Sequence, residues 1–179
     1  MSGVSAASAH RVKSARTLLV NAVELLRQPG SRRRIDTAVA VGALDLTDDR
    51  LIGDVAVRLD VTSTLDDVIV TGHLAVARHD TCRRCLAAID DTLRVDVDER
   101  YREQPSPDDD AFPIVNGQID LTPMVREEVL LALPAAPLCR DDCPGLCATC
   151  GADLAAGPCA CAAAERDERW AVLDQLRLD

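Results

Sequence analysis

The spacing of the eight cysteines constrains this 179-residue chain more than any other feature. Two Cys-x2-Cys pairs occur, at Cys82 and Cys85 and at Cys147 and Cys150, and the stretch "CPGLCATCGADLAAGPCAC" at 143–161 holds five thiols in 19 residues. A thiolate pair of this spacing on a tight turn supplies two of the four tetrahedral ligands that zinc prefers. The spacing therefore predicts a fold whose loops are held by metal ions.

Four of the cysteines close one site within a short segment. Cys147 and Cys150 form a knuckle with Gly151, which permits the left-handed backbone that such a turn needs. Cys159 and Cys161 are two residues apart, so their side chains emerge on the same side of an extended segment. These four cysteines predict a structural zinc site near the C-terminus.

The other four cysteines predict a second zinc site that joins distant parts of the chain. Cys82, Cys85, Cys139 and Cys143 would connect the central sheet to the end of a later helix. Other divisions stay open at this point. The two Cys-x2-Cys pairs could share one site, or a single site could leave spare thiols.

Three other uses of the thiols compete with zinc. Disulfides require an exported protein, whereas the short apolar stretch near the N-terminus indicates an unexported, soluble, cytoplasmic one. An iron-sulfur cluster fits four thiolates, but no other pattern points to electron transfer. A thiol-redox or zinc-dependent enzyme could use the Cys82-x2-Cys85 pair, since Arg83 and Arg84 would lower the pKa of a neighbouring thiol.

Enzymatic activity is not expected. The only histidines are His10, His73 and His79, and none lies in a zinc-hydrolase or deaminase motif. Glycine-rich phosphate loops and nucleophile elbows are also missing from the sequence. We therefore predict no catalytic residue, no small-molecule substrate and no membrane segment.

Hydrophobic periodicity predicts an α+β protein on a mainly antiparallel sheet. Apolar residues alternate with polar ones in three segments, as in strands with one buried face. These apolar residues are Val55, Val57, Leu59 and Val61; Val68, Val70, Leu74 and Val76; and Leu93, Val95, Val97 and Tyr101. The core must be aliphatic, because the chain has only three aromatic residues.

A few helices complete the predicted domain organisation. Asn21 can cap a short helix, Thr122 can cap a second helix over 122–133, and a terminal helix carries a stripe with Trp170, Leu173 and Leu176. The segment 104–112 is a charged loop. We expect a disordered N-terminal arm at 1–16 and an α+β sheet domain at 17–138. A cysteine-rich zinc-binding segment and the terminal helix, at 139–179, would pack on that domain.

Charge limits the partners. Residues 1–34 hold seven Lys/Arg and one acid, a net charge of +6, so the rest carries −16 of the total of −10. Nonspecific nucleic-acid affinity comes from neutralising phosphates, which an acidic body cannot do. RNA contact would use Arg32, Arg33 and Arg34, in a segment otherwise expected to be a solvated loop, and basic proteins are equally suitable partners.

The order of several motifs resembles the YceD family, the large ribosomal RNA subunit accumulation proteins. The motifs are "ELLRQPGSRR" at 24–33, "CRRCL" at 82–86, "QIDLTPMVREEVLLALPAAPLC" at 118–139, "CPGLCATCGADL" at 143–154 and "RDERWAVLDQL" at 166–176. The similarity runs over 17–176 and is closest to actinobacterial members. Ala155 and Ala156 depart from it, since members often carry polar residues there.

The resemblance implies a bacterial cytosolic protein that supports the synthesis, processing or stability of 23S ribosomal RNA. Its partner would be the precursor of the large ribosomal subunit, through 23S RNA, basic ribosomal proteins or both. The family assigns no catalytic residue. Some members lack the segment that matches 147–161 but keep the counterpart of "CRRC", which agrees with two separate sites.

Overall fold

In a computed structural model, which describes residues 18–161, an antiparallel meander forms the centre of the fold. The strands and helices in chain order are β1 (Leu19–Asn21), α1 (Ala22–Leu26), β2 (Arg32–Ala40), β3 (Leu51–Ser63), β4 (Val68–Thr81), β5 (Ala88–Arg102), β6 (Phe112–Pro113), β7 (Gln118–Asp120) and α2 (Thr122–Ala132). A 3-10 turn at Val41–Leu44 joins β2 to β3. The predicted α+β class with a mainly antiparallel sheet is confirmed.

The three alternating segments form the middle of the sheet, as predicted. The strand order is β2-β3-β4-β5-β6, and the first four strands are antiparallel neighbours. Val57 pairs with Leu74, which pairs in turn with Val95. Because the period of two puts these side chains on one face, the register aligns a continuous apolar surface.

The core lies between this face and the elements that cover it. α2 packs against β5 and buries Met124, Val125 and Val129. A two-stranded antiparallel ribbon of β1 and β7 contributes Val20 and Ile119. The core is almost wholly aliphatic, as expected, and its one buried aromatic residue among those described is Tyr101.

The segment with three arginines is a strand, so the interpretation of it as a solvated loop is wrong. Arg32, Arg33 and Arg34 begin β2, and Arg32 pairs with Thr62 of β3. β2 forms one edge of the sheet, where charged side chains are tolerated because its outer side faces solvent. Because three consecutive residues are charged, the alternation of apolar and polar residues that predicts a strand is missing at the start of β2.

The helix caps are partly as predicted. Asn21 caps α1, because its Oδ1 accepts a hydrogen bond of 3.3 Å from the backbone N–H of Glu24. Thr122 is not the cap of α2 but a helical residue, with Leu121 at the cap position. The side chain of Asp120 accepts the Thr122 N–H at 2.9 Å instead, since β7 ends there.

Two predictions lie outside the described residues, namely the N-terminal arm at 1–16 and the terminal helix with Trp170. Among residues 18–161, neither helix has the length and apolarity that crossing a lipid bilayer requires.

Candidate metal centres

Cys82 and Cys85 lie in the tight connection between β4 and β5. The Cys82 N–H donates to the carbonyl of Ala87 at 2.8 Å, and the Leu86 N–H donates back to the Cys82 carbonyl at 2.9 Å. Leu86 takes the left-handed conformation, with φ of 60°. The connection therefore turns as a knuckle that brings both thiols to one side.

Three hydrogen bonds dock the later cysteine segment onto this knuckle. The Arg83 N–H donates to the Pro137 carbonyl at 2.9 Å, and the Leu146 N–H donates to the Arg84 carbonyl at 3.1 Å. The Arg84 guanidinium donates to the Cys143 carbonyl at 2.8 Å. Cys139 and Cys143 are thereby held against the end of the sheet.

Two arginines, Arg50 and Arg78, connect the strands and the end of α2 around this junction. Arg50 Nη1 donates to the Pro134 carbonyl, just after α2, at 3.1 Å and lies 3.5 Å from Asp80 Oδ2, near the end of β4. The Arg50 guanidinium also pairs with Asp48 at 2.8 Å. Arg78 joins β4 to Asp91 of β5 through two hydrogen bonds of 2.9 and 2.7 Å. These contacts set the relative position of the two cysteine-bearing segments.

Cys82, Cys85, Cys139 and Cys143 form the inner cluster. Their Sγ atoms all lie within 4.8 Å of one another, with 3.8 Å from Cys82 to Cys143 and 3.6 Å from Cys85 to Cys139. Four sulfurs about 2.3 Å from a central zinc would be separated by about 3.8 Å at the edges of the tetrahedron. A disulfide would require about 2.05 Å. The separations fit a four-thiolate metal site and exclude a disulfide here.

Cys147, Cys150, Cys159 and Cys161 form the outer cluster. Their Sγ atoms again lie within 4.8 Å of one another. The Cys147 N–H donates to the Ala152 carbonyl at 2.8 Å and the Gly151 N–H to the Cys147 carbonyl at 2.9 Å, so this knuckle is closed by local hydrogen bonds. The outer cluster is less buried than the inner one. Its four cysteines are half-buried or exposed, whereas Cys82 and Cys143 of the inner cluster are buried.

Backbone amides lower the pKa of one thiol in each cluster. The Cys85 N–H is the main reason why the pKa of Cys82 falls to about 6, against the opposing effect of burial. The Cys150 N–H likewise lowers the pKa of Cys147 to about 6. Amides are thus the cause, and the Arg84 guanidinium is engaged by a carbonyl instead. One thiolate at neutral pH gives a cation its first anionic ligand.

Two other inner thiols, those of Cys139 and Cys143, hold their protons more tightly. The neighbouring Cys143 thiol, and then that of Cys85, raise the pKa of Cys139 to about 12, and burial raises the pKa of Cys143. Several thiolates so close together repel one another. A divalent cation relieves that repulsion, so the donor set fits a soft or borderline metal such as zinc and releases protons when it binds.

The structure brings all eight predicted cysteines into these two groups, with the division that the spacing favoured. Both groups could hold a metal ion. Of the described histidines, His79 Nδ1 lies 2.6 Å from Asp90, and neither His79 nor His73 joins a group of potential ligands within 18–161. The supporting roles of Arg50 and Asp80 were missed, because isolated polar residues near strand ends give no periodic signal.

Comparison with known proteins finds relatives in mycobacteria. A protein of Mycobacterium tuberculosis (strain H37Rv), described as uncharacterized, is 34% identical over 124 residues, 66% of this chain and 59% of that protein. A protein of Mycobacterium leprae, also described as uncharacterized, is 35% identical over 106 residues, 56% of this chain and 49% of that protein. The chain thus spans about half of the length of these relatives.

A plant protein and a family model carry a functional description. The large ribosomal RNA subunit accumulation protein YCED homolog 1, chloroplastic, of Arabidopsis thaliana is 33% identical over 66 residues, 37% of this chain and 21% of that protein. No solved structure matches. The model of "Large ribosomal RNA subunit accumulation protein YceD" matches residues 70–177, which include both cysteine clusters. The chain therefore belongs to the YceD family.

Proposed function

We propose that this protein is a non-enzymatic factor that supports 23S ribosomal RNA synthesis, processing or stability, and hence large-subunit biogenesis, in the bacterial cytoplasm. The single observation that carries the proposal is the family match over 70–177, together with the description of that family. The chemistry of the described residues agrees with it. Four-thiolate zinc sites have no open coordination position, and such sites support structure rather than catalysis.

Each cluster, in this proposal, binds one structural Zn²⁺ through its four cysteines. The inner ion would hold the β4–β5 connection against 139–146, and the outer ion would hold 147–161. These segments bury few apolar side chains, since only those of Cys82 and Cys143 are buried there. Metal binding would replace the hydrophobic stabilisation that these loops lack and offset the entropy of ordering them.

Hydrogen bonds at the β4–β5 connection support the proposed division into a sheet domain at 17–138 and a cysteine-rich segment at 139–179 that packs on it. Arg83 and Arg84 of the β4–β5 connection bond to Pro137, Cys143 and Leu146. In this proposal the segment is an extension of the sheet domain rather than an independent unit.

RNA contact, as part of this proposal, would use the basic start of β2. Successive strand residues point to opposite faces, so Arg32 and Arg34 share one face and Arg33 projects from the other. Asp60 lies 2.6 Å from Arg32 and 4.0 Å from Arg34, and partly neutralises them. Of these three arginines, Arg33 alone has no ion pair within 18–161, so it is the one most available to a phosphate.

Depletion of the protein tests the proposed role. We expect the ratio of 23S to 16S RNA to fall and 50S particles to decrease on a gradient. Restoration by the wild-type protein, but not by the variant Arg32→Gln with Arg33→Gln and Arg34→Gln, would support RNA contact at β2. An unchanged ratio with normal 50S particles would refute the proposal.

A thiol-redox enzyme is the second candidate, favoured by the pKa of about 6 for Cys82. Low thiol pKa is the physical requirement for a reactive cysteine. Against it, the Cys82 side chain is 0% exposed and Cys82 Sγ lies 3.8 Å from Cys143 Sγ. Rapid alkylation of Cys82 in the native protein would support the enzyme, and its protection until metal is removed would support the structural site.

A further inference from the structure

Strand β5 has one paired edge and one open edge. β4 pairs with β5 from Ala88 to Tyr101, whereas β6 pairs only with Tyr101 and Arg102. Within the described part of the chain, the outer edge of β5 over 88–100 therefore has no strand partner. An edge of this length offers a row of backbone N–H and C=O groups to another extended segment.

The charge beside this edge is net negative. Six carboxylates on β5, on the following loop and on α2 form no ion pair within residues 18–161. These residues are Asp96, Asp98, Glu99, Asp110, Glu127 and Glu128. Two cations lie on the same stretch of β5: Arg94, which forms no ion pair within 18–161, and Arg100, whose Nε lies 3.9 Å from Asp67 and which lines a cavity together with Asp98, Glu99 and Asp110. The six carboxylates outnumber these two arginines, so complementarity of charge favours a positively charged occupant at this edge.

Glu99 is placed where the fold alone favours an apolar residue. It lies on the face of β5 that buries Val95, Val97 and Tyr101, and it is itself half-buried. α2, which carries Glu128, packs against β5, and burial, followed by a hydrogen bond with the Glu128 carboxyl, raises the pKa of Glu99 to about 7. Two half-buried acids this close together cost stability, and a cation beside them would reduce that cost.

The open edge of β5 and the acidic residues beside it together indicate which kind of segment binds there. β2, at the opposite edge, begins with three arginines, so it would repel a basic strand. We propose that the open edge of β5 binds a Lys/Arg-rich extended segment of a partner protein as an added strand, with one of its basic side chains pairing with the carboxyls of Glu99 and Glu128. Main-chain pairing gives such complexes affinity, and alternate side chains give them specificity. The identification of this partner as a basic protein of the ribosomal precursor rests on the proposed function.

Peptide binding to the purified, zinc-loaded full chain tests the inference. The probe is a fluorescent ten-residue peptide of alternating Arg and Thr, followed by anisotropy, with an alternating Glu and Thr peptide as control. We expect the basic peptide to bind and the acidic one not to. Methylation of alternate backbone nitrogens, which keeps every charge, should weaken binding at least about tenfold because it blocks strand pairing. Equal binding of the methylated peptide would overturn the proposal.

Paired variants locate the site. Glu99→Gln with Glu128→Gln should weaken binding of the basic peptide at least about tenfold and should fold well, since the change removes a repulsion. Glu24→Gln with Asp36→Asn makes the same change in net charge at exposed positions away from β5 and should leave affinity within about twofold. Equal loss in both pairs would overturn the proposal, because binding would then follow net charge alone.

Sedimentation of the full chain measures its oligomeric state and so tests whether a second copy occupies the edge. A homodimer that the Glu99 and Glu128 changes dissociate would mean that a second copy occupies the edge, and it would overturn the inference. A monomer agrees with it. These experiments fail or succeed independently of the 23S to 16S ratio, so loss of the inference leaves the proposed function standing.

Discussion

Gly72, in the middle of β4, has a backbone that other residues cannot adopt without strain. Its φ is +146°, and a Cβ there would lie 2.2 Å from the carbonyl oxygen of Arg58 on β3. The close approach occurs where Gly72 pairs with Leu59. The glycine thus interrupts the apolar alternation of β4 for a backbone reason and not for lack of a core position.

The first prediction concerns this residue. Gly72→Ala should lower the free energy of unfolding by about 3 kcal/mol, since backbone atoms must move to admit the methyl group. Gly42→Ala is the matched control, with no atom within 4 Å of the added Cβ, and it should change stability by less than about 0.5 kcal/mol. Urea unfolding of the two variants measures both values. Similar midpoints would contradict the close approach.

Leu86 shows a residue-scale feature that the sequence does not reveal. It follows Cys85 as Gly151 follows Cys150, and both residues take positive φ, 60° and 71°. A non-glycine residue pays about 1 kcal/mol or more for this conformation. The knuckle geometry therefore prevails over the local preference of leucine, and the glycine signal identifies only the outer knuckle.

At the scale of elements, the two clusters differ in what they hold together. The inner cluster connects the β4–β5 turn to 139–146, which the sheet contacts through Arg83 and Arg84. The outer cluster is closed by local hydrogen bonds and one isolated bridge, Leu146 with Asp153. Removing a ligand should therefore have different consequences at the two sites.

The second prediction compares two ligand variants. Cys143→Ser should lose one zinc and lower the stability of the sheet domain by about 3 kcal/mol, because it also leaves a buried polar group at the junction. Cys159→Ser should lose one zinc as well, but its urea midpoint should stay within about 0.5 kcal/mol of the wild type. Elemental analysis and urea unfolding check both results. Equal destabilisation would contradict the distinct roles.

The third prediction concerns the contact between β5 and α2. The folded-state pKa of Glu99 is about 7, above the 4.5 of an ordinary glutamate. The folded state therefore holds this proton more tightly, and Glu99 costs stability as pH rises from about 4.5 through 7. Glu99→Gln removes this cost. Its stability gain should be about 1 kcal/mol larger at pH 8.5 than at pH 5.5, after discounting for partial exposure. Thermal unfolding at the two pH values measures the gain, and an equal gain at both would contradict the opposed carboxyls.

For the whole molecule, the sequence predicted what periodicity and spacing encode. The β3–β4–β5 meander followed from alternating Val and Leu, and the two groups of cysteines followed from Cys-x2-Cys spacing. The extensions of β4 and β5 toward the clusters were missed, because Arg78 and Asp91 stabilise them by a cross-strand ion pair and not by apolar alternation. β1, β6 and β7 span three residues or fewer, too short for any periodic signal.

Site details were missed for a related reason. The hydrogen bonds from Arg83 to Pro137 and from Arg50 to Pro134 join residues far apart in the chain. Long-range pairing of this kind leaves no local pattern. The proximity of Glu99 to Glu128 is equally long-range, because it depends on the packing of α2 on β5.

The zinc content of the native full chain tests the central claim most directly. Elemental analysis of protein purified without added metal should give about two zinc ions per chain, since four thiolates fill each tetrahedral site. Thiol titration should then find no reactive cysteine until a strong chelator is added. Folded protein without bound metal, with its thiols titratable and its fold unchanged by the chelator, would contradict the account.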